Sequence, residues 1–105
     1  MLLGITHSVS PRLDQGELTY IDREPLDYPL ALQQHDHYCN ILAANGVDIK
    51  KLAMNSSYPD SCFVEDTAIV LDEIAIITSM GTASRRGETS GIATELGKYR
   101  EIATI

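Results

Sequence analysis

A single amphipathic helical pattern, set between short apolar runs, limits this chain to a mixed α/β fold. The apolar stripe recurs at spacings of four and three residues through Tyr28, Leu32, His35, Cys39 and Leu42, and it is widened by Ala31, Tyr38 and Ile41. Asp27 is a suitable N-cap, and Pro29 is tolerated because first-turn amides have no partner within the helix. Asn45 and Gly46 supply a C-terminal stop. The spacing therefore predicts a helix from about residue 28 to residue 44.

The β-branched and apolar runs on either side of this helix predict strands. Leu2 to Val9 is short and apolar enough for a buried strand, and Val47 to Met54 alternates imperfectly between apolar and polar residues. Two further runs, 63–71 and 74–78, are separated by Asp72 and Glu73, which predicts a tight hairpin.

The remaining segments are predicted as loops and one weaker helix. Pro and Gly among polar residues predict loops at 10–25, 55–61 and 81–87, the first long enough to be a functional lid. Residues 89–103 are weakly helical in pattern. The order β, loop, α, β, β, β, α predicts an α/β architecture, and 105 residues are enough for one small domain, 1–105.

The charge balance and the chain's start narrow the classes of function. A net charge of −7, from 15 acidic and 8 basic side chains, argues against binding to a phosphate backbone and is compatible with a cationic ligand. The start MLLGITHSV lacks the basic flank and long apolar stretch of a signal peptide, and no apolar run approaches the length of a bilayer span. We therefore expect a cytoplasmic protein that has reduced thiols and binds neither membrane nor nucleic acid.

The densest polar cluster lies where the second predicted loop, 55–61, enters an apolar strand. It reads Tyr58-Pro59-Asp60-Ser61-Cys62-Phe63-Val64-Glu65-Asp66 and places three carboxylates within seven residues. On a strand, Glu65 and Asp66 would point to opposite faces, so at least one would face inward. A buried carboxylate needs a charged or hydrogen-bonding partner, and a planar guanidinium suits it well.

A second, basic cluster reads Ser84-Arg85-Arg86-Gly87-Glu88 near a predicted helix start. Two arginines there could hold a carboxylate, so an acidic and a basic loop together suggest a zwitterionic amino-acid ligand. The alternative is structural, since Arg85 or Arg86 could simply pair with Glu65, Asp66 or Glu88. Spacing alone does not decide whether the two clusters meet.

The histidines and cysteines do not form a metal site in this reading. Only His35 and Cys39 of the His35, His37 and Cys39 group share a helix face, and two ligands do not make a closed zinc site. Cys39 is predicted to be a core residue and Cys62 a packing residue. His7 is isolated and carries no signal. The sequence thus predicts neither a metal nor a cofactor.

Three stretches together resemble the signature of dimethylarginine dimethylaminohydrolases. They are residues 58–67, the run Ala75-Ile76-Ile77-Thr78, and Ser84-Arg85-Arg86-Gly87-Glu88-Thr89, with fainter similarity at 16–19, 27–28 and 31–35. The resemblance implies a pentein-type α/β propeller built from about five ββαβ units. On length, this chain would supply about two of the five units as the N-terminal, incomplete portion.

The resemblance also implies roles for individual residues. Asp60 and Asp66 resemble the carboxylates that hold the substrate guanidinium, and Glu65 lies beside them. Arg85 resembles the residue that binds the substrate carboxylate. Carboxylates keep the guanidinium cationic, and therefore electrophilic, while a thiolate attacks its central carbon.

Two apolar positions complete the predicted substrate site. Leu18 lies in the loop that, in the family, folds over the substrate and offers a backbone carbonyl to its amino group. Phe63 resembles the apolar residue that lines the pocket. A closing lid of this kind excludes water from the reaction.

The resemblance implies an amidine hydrolase that converts N-omega-methylated arginine to citrulline and methylamine or dimethylamine. The family's catalytic cysteine and histidine are expected beyond Ile105, so we predict that the chain alone is inactive. Alternatives are an arginine deiminase-like fragment, a non-catalytic arginine-binding module and a truncated gene product. Self-association or a complementary C-terminal half are the expected partners, because a partial propeller exposes strand edges.

Overall fold

The structure is a computed structural model that describes residues 2–18 and 22–105. Its backbone contacts divide the chain into two units, residues 1–62 and residues 63–105. Each unit has a sheet of its own, with two strands in the first unit and three in the second. The mixed α/β class predicted from the sequence is confirmed.

The first unit is a parallel strand pair joined through one helix. β1, Leu2–His7, pairs in parallel with β2, Val47–Leu52, so that Leu2 lies opposite Val47 and His7 opposite Leu52. The helix between them, α1, spans Tyr28–Ala44. Both strands and the helix were predicted, and the structure confirms them to within two residues.

The caps of α1 confirm the predicted bounds of this helix. The side chain of Asp27 accepts a hydrogen bond from the Leu30 N–H at 3.0 Å. Gly46, just past the helix, has φ of +89°, a conformation that favours glycine. The predicted stripe is only partly right, because Cys39 is buried whereas Tyr38 and Ile41 are 55% and 48% exposed.

The second unit has the element order ββαβ. β3, Ala68–Val70, runs antiparallel to β4, Ile74–Ile77, through the predicted hairpin. α2, Thr89–Leu96, then leads to β5, Glu101–Thr104, which pairs in parallel with β4. Ala75 and Ile77 of β4 and Ile92 and Leu96 of α2 are buried and form the apolar core of this unit.

The first correction concerns the predicted strand Phe63–Leu71. Only Ala68–Val70 is extended, and Val64–Asp66 form a 3-10 turn instead. Thr67 holds this turn, since its backbone N–H and its hydroxyl both donate to the Val64 carbonyl, at 3.1 and 2.6 Å. Such local side-chain bonds compete with the hydrogen-bond ladder of a sheet. The expectation that Glu65 and Asp66 alternate across a strand is therefore wrong.

The second correction concerns residues 81–103. Ala83–Glu88 form a 3-10 helix that covers most of the predicted loop 81–87 and runs directly into α2. The predicted helix 89–103 ends at Leu96, with Gly97 as its C-cap, and Glu101–Thr104 form a strand instead. Within the described ranges, no helix combines the length and apolarity needed to cross a bilayer.

Candidate functional site

The largest of the fully buried side chains are all polar. Among the described residues, these side chains belong to His7, Ser10, Ser61, Thr67 and Glu88, none of which is more than 2% exposed. Buried polar groups lower stability unless they are hydrogen-bonded, and the side chains of all these residues except Ser61 make hydrogen bonds. One network lies in each unit.

In the first unit, two loops leave the same edge of the sheet. Because β1 and β2 are parallel, the segments after His7 and after Leu52 emerge side by side. The Ser8 N–H donates to the Leu52 carbonyl at 2.8 Å, and the Ser10 hydroxyl donates to the Ser56 carbonyl at 2.6 Å. The Asn55 N–H donates to His7 Nε2 at 3.0 Å, while His7 Nδ1 lies 2.8 Å from the Ser8 carbonyl. These bonds join the two loops.

Asp60 connects the second of these loops to the predicted lid. It is 8% exposed, and its Oδ2 accepts a hydrogen bond from the Glu17 N–H at 3.0 Å. Gly16 lies so close that a Cβ there would come within 2.3 Å of Asp60 Oδ1. The carboxylate predicted to contact substrate is therefore also the residue that fixes the start of the Leu18 loop.

The predicted lid loop borders a cavity of about 520 Å³ within the first unit. Its lining includes Leu18, Leu13 and Leu26 together with the acidic residues Asp14, Asp22 and Glu24. Arg23 donates to the Asp14 carbonyl and, at 2.6 Å, to the Gly16 carbonyl. Leu18 is 42% exposed. The start of its loop is held at Glu17 by Asp60 and at Gly16 by Arg23. Residues 19–21 of the predicted loop lie outside the described residues.

In the second unit, the strand register brings the acidic and basic clusters together. The start of antiparallel β3 lies beside the end of β4, with Ala68 opposite Ile77. Thr78 continues this pairing, since its N–H donates to the Thr67 carbonyl at 3.0 Å and its hydroxyl to the Asp66 carbonyl at 2.8 Å. The acidic turn before β3 and the basic segment after β4 therefore share one edge.

Arg85 is the centre of that edge. Its Nε and Nη2 donate to the two carboxylate oxygens of Glu88 at 2.9 and 3.0 Å, and its Nη1 donates to Asp66 Oδ2 at 2.7 Å. Nη2 also donates to the Phe63 carbonyl at 3.1 Å. Hydrogen bonding to Glu88, and then to Asp66, raises the pKa of Arg85 further above its ordinary value. The structural alternative, that Arg85 pairs with Asp66 and Glu88, is thus confirmed, and the two clusters do meet.

The other predicted residues of this unit are more exposed. Glu65 and Asp66 lie on the 3-10 turn, both exposed, and Phe63 is 43% exposed. Arg86 donates to the carbonyls of Met80 and Gly81 at 3.1 and 3.2 Å. These bonds stabilise the loop that precedes it and are separate from the ion pairs of Arg85.

Sequence reasoning missed the supporting role of two residues. His7 was assigned no role, although its position at the end of an apolar run, before a long loop, is a signal for a strand-end residue. Glu88 was considered only as a possible partner of an arginine, and its burial, to 1% exposed, was not predicted. Its spacing of three residues after Arg85 on a helical turn was the available signal.

The two free cysteines differ in burial. Cys39 is 6% exposed, with Sγ 3.8 Å from His35 Nδ1 and 3.7 Å from Thr6 Oγ1, and its predicted place in the core is confirmed. Cys62 is half-buried. The residues that the structure describes contain no group of three His, Cys, Asp or Glu side chains placed to hold a metal ion.

The fold and the ion cluster define an α/β protein with paired acidic and basic groups at a sheet edge. A family profile described as N,N dimethylarginine dimethylhydrolase, eukaryotic, matches residues 22–102. The chain belongs to this family.

Its curated relatives include two N(G),N(G)-dimethylarginine dimethylaminohydrolases. The Streptomyces coelicolor enzyme is 43% identical over 83 residues, which cover 79% of this chain and 32% of that protein. The Pseudomonas aeruginosa enzyme is 42% identical over 73 residues, which cover 70% of this chain and 29% of that protein. The chain thus spans about a third of the length of these relatives.

Solved structures of dimethylarginine dimethylaminohydrolases match almost all of the chain. The Pseudomonas aeruginosa protein, a cysteine-to-serine mutant complexed with citrulline, has a TM-score of 0.91 and 35% identity and covers 99% of this chain and 41% of that one. A histidine-to-glycine variant solved as an adduct with S-methyl-L-thiocitrulline matches with the same values. The pentein-type fold implied by the family resemblance is consistent with these matches.

Proposed function

We propose that this chain forms the substrate-recognition portion of an amidine hydrolase acting on N-omega-methylated arginine. In this proposal Asp60, Glu65 and Asp66 face the cationic groups of the substrate, and Arg85 binds its carboxylate. The parent reaction releases citrulline and methylamine or dimethylamine. The observation that carries the proposal is the direct contact of Arg85 with Asp66 in a member of this family.

The charges of the second unit support a zwitterionic ligand. An arginine-like amino acid has a cationic guanidinium at one end and a carboxylate near the other. Asp66 offers a negative charge to the guanidinium, and Arg85 offers a positive charge to the carboxylate. Asp66 is 52% exposed at its side chain and is therefore accessible to a ligand. Phe63, exposed beside them, supplies apolar surface for the methylene chain of such a ligand.

The first unit supports a lid. The loop that begins at Gly16 is fixed by Asp60 and Arg23, and Leu18 follows immediately with its backbone carbonyl as the proposed acceptor of the substrate amino group. A loop fixed at its base and bordering a cavity is suited to cover a bound small molecule.

We further propose that the 105 residues supply about two of five propeller units and bind ligand without turning it over. The ββαβ order of the second unit supports the proposed number of propeller units. The chain's span of about a third of the curated relatives supports the proposal that it binds ligand while the remaining part carries out the reaction. Self-association or a complementary C-terminal half would then complete the enzyme.

The test is ligand binding by calorimetry, with L-citrulline, N-omega-methyl-L-arginine and agmatine, which lacks the carboxylate. We expect the chain to bind the two amino acids more tightly than agmatine. Arg85→Gln should abolish that difference, whereas the matched variant Arg86→Gln, which alters only a loop-closing arginine, should retain it.

Citrulline release is measured on the same samples. Turnover by the 105 residues alone would contradict the proposed inactivity, and binding of none of the three compounds would contradict the proposed recognition role. Tight binding of L-citrulline that Arg85→Gln leaves unchanged would reject Arg85 as the carboxylate-binding residue.

A further inference from the structure

The buried carboxylate of Glu88 is not explained by the roles proposed so far. It is 1% exposed, and both of its oxygens accept hydrogen bonds from Arg85. Placing a carboxylate in the interior is unfavourable unless a partner of matching geometry compensates it. The two bonds, at 2.9 and 3.0 Å, form the paired contact that a guanidinium makes best.

The two carboxylates around Arg85 differ in kind. Glu88 binds the Nε and Nη2 side of the guanidinium through two bonds and is shielded from solvent. Asp66 binds Nη1 through one bond at 2.7 Å, and its side chain is 52% exposed. A paired buried contact fixes the plane of the guanidinium, whereas a single contact at an exposed carboxylate exchanges readily.

We propose that Glu88 is a positioning residue that aims the Nη1 edge of Arg85 at the carboxylate of the ligand. The inference rests on the proposed function. Asp66 occupies that edge in the structure. When an arginine-like zwitterion binds, its carboxylate takes the place of Asp66 on Arg85, and Asp66 turns to the cationic end of the ligand. Arg85 thereby keeps two ionic partners throughout, Glu88 on one side and either Asp66 or the ligand carboxylate on the other.

A charge argument explains why a buried carboxylate suits this role. With Glu88 in place, the charge of Arg85 is compensated on one side, and the guanidinium keeps its orientation after Asp66 leaves. Without Glu88, a largely buried guanidinium would be uncompensated at the moment of exchange, and Asp66 would be held more tightly in its place. Glu88 therefore favours both the orientation of Arg85 and the release of Asp66.

The test is the ligand selectivity of Glu88→Gln in the native protein. We expect its affinity for L-arginine and L-citrulline to fall by about tenfold, because a charge-assisted pair of hydrogen bonds is lost, while its affinity for agmatine changes by less than about twofold. A purely structural role would lower all three affinities together. The ratio of L-arginine to agmatine affinity is therefore the deciding measurement.

Two further variants keep the test decisive. Glu95→Gln is the matched control, since Glu95 is also a buried glutamate of this unit, 3% exposed, and pairs with Lys98 at 2.9 Å; we expect its selectivity to equal that of the wild type. Glu88→Asp retains the charge but shortens the side chain, and it should lose part of the selectivity. It replaces Glu88→Gln as the deciding variant if the latter does not fold.

The outcomes separate the two proposals. Wild-type selectivity that persists in Glu88→Gln and Glu88→Asp would overturn the positioning role and leave the proposed function intact. A uniform loss for all three ligands would also overturn it. A wild-type protein that binds none of the ligands would overturn the proposed function and, with it, this inference.

Discussion

The two units hold their predicted site residues by different physical means. In the first unit, Asp60 is fixed by a backbone N–H and by the close approach of Gly16. In the second unit, Arg85 is fixed by carboxylates on two sides. The first arrangement depends on shape and on neutral donors, and the second depends on charge compensation.

This difference predicts how each unit responds to substitution. Removing one member of a buried ion pair leaves an uncompensated charge, which is among the largest single-residue effects on stability. Removing a neutral contact leaves an unmet hydrogen bond or a steric conflict of smaller size. Perturbations of the second unit should therefore exceed those of the first.

The largest effect is expected for Glu88→Ala. The substitution leaves Arg85, whose side chain is 11% exposed, without its paired partner, and we expect the free energy of unfolding to fall by about 3 kcal/mol. Urea denaturation followed by circular dichroism measures it. Asp66→Asn, at an exposed carboxylate, is the comparison and should cost no more than about 1 kcal/mol. Equal losses for the two variants would contradict the distinction between the buried and the exposed partner.

The next largest effect is expected for His7→Leu in the first unit. Leucine roughly keeps the side-chain volume but cannot accept the Asn55 N–H, so unfolding should become easier by about 2 kcal/mol. Amide hydrogen exchange should show faster exchange at Asn55 in the variant. His37→Leu, at an exposed position of α1, serves as the control, and we expect both its stability and its exchange at Asn55 to match the wild type.

A smaller stability effect, with a larger effect on ligand binding, is expected for Gly16→Ala. The new Cβ would overlap Asp60 Oδ1, but the loop is near the surface and can shift, so the cost should be about 1–2 kcal/mol. Gly81→Ala is the matched control, because a Cβ there meets nothing within 4 Å. If both variants bound L-citrulline as the wild type does, Asp60 and the lid loop would not be coupled.

The smallest effect is a pH dependence that arises at His35. Burial, followed by the nearby charge of Lys51, lowers the pKa of His35 below its ordinary value of 6.5, although Asp36 opposes this. Below that value the unfolded chain binds a proton more readily than the folded one, so stability falls as the pH falls from about 6.5 toward the lower folded pKa.

Thermal unfolding between pH 7.5 and pH 5 tests this dependence. His35→Gln should have a flatter profile than the wild type, while His37→Gln, exposed on the same helix, should keep the wild-type profile. An unchanged slope in His35→Gln would assign the pH dependence to other groups.

Elements governed by local chemistry were predictable from the sequence. The helix α1 follows from its stripe, from Asp27 at its start and from Gly46 after its end, all of which act within a few residues. The hairpin between β3 and β4 follows from two apolar runs and the acidic pair between them. The acidic and basic clusters and the family resemblance were also identified from the sequence.

Elements that depend on long-range pairing were not predictable from the sequence. β5 is a strand because it pairs with β4, with Ile74 opposite Glu101, and residues 101–104 alone carry no such signal. The 3-10 turn at Val64–Asp66 depends on bonds from Thr67 that outcompete a strand pattern.

The sequence by itself determined the α/β class, the helix, the hairpin and the identity of the charged residues, because periodicity, capping and composition are local properties. Only the tertiary structure decided which of those charges meet. Parallel pairing of β1 with β2 brings Asp60 to the Glu17 N–H, and antiparallel pairing of β3 with β4 brings Asp66 to Arg85. Register sets these contacts, and register is fixed by the packing of the whole sheet.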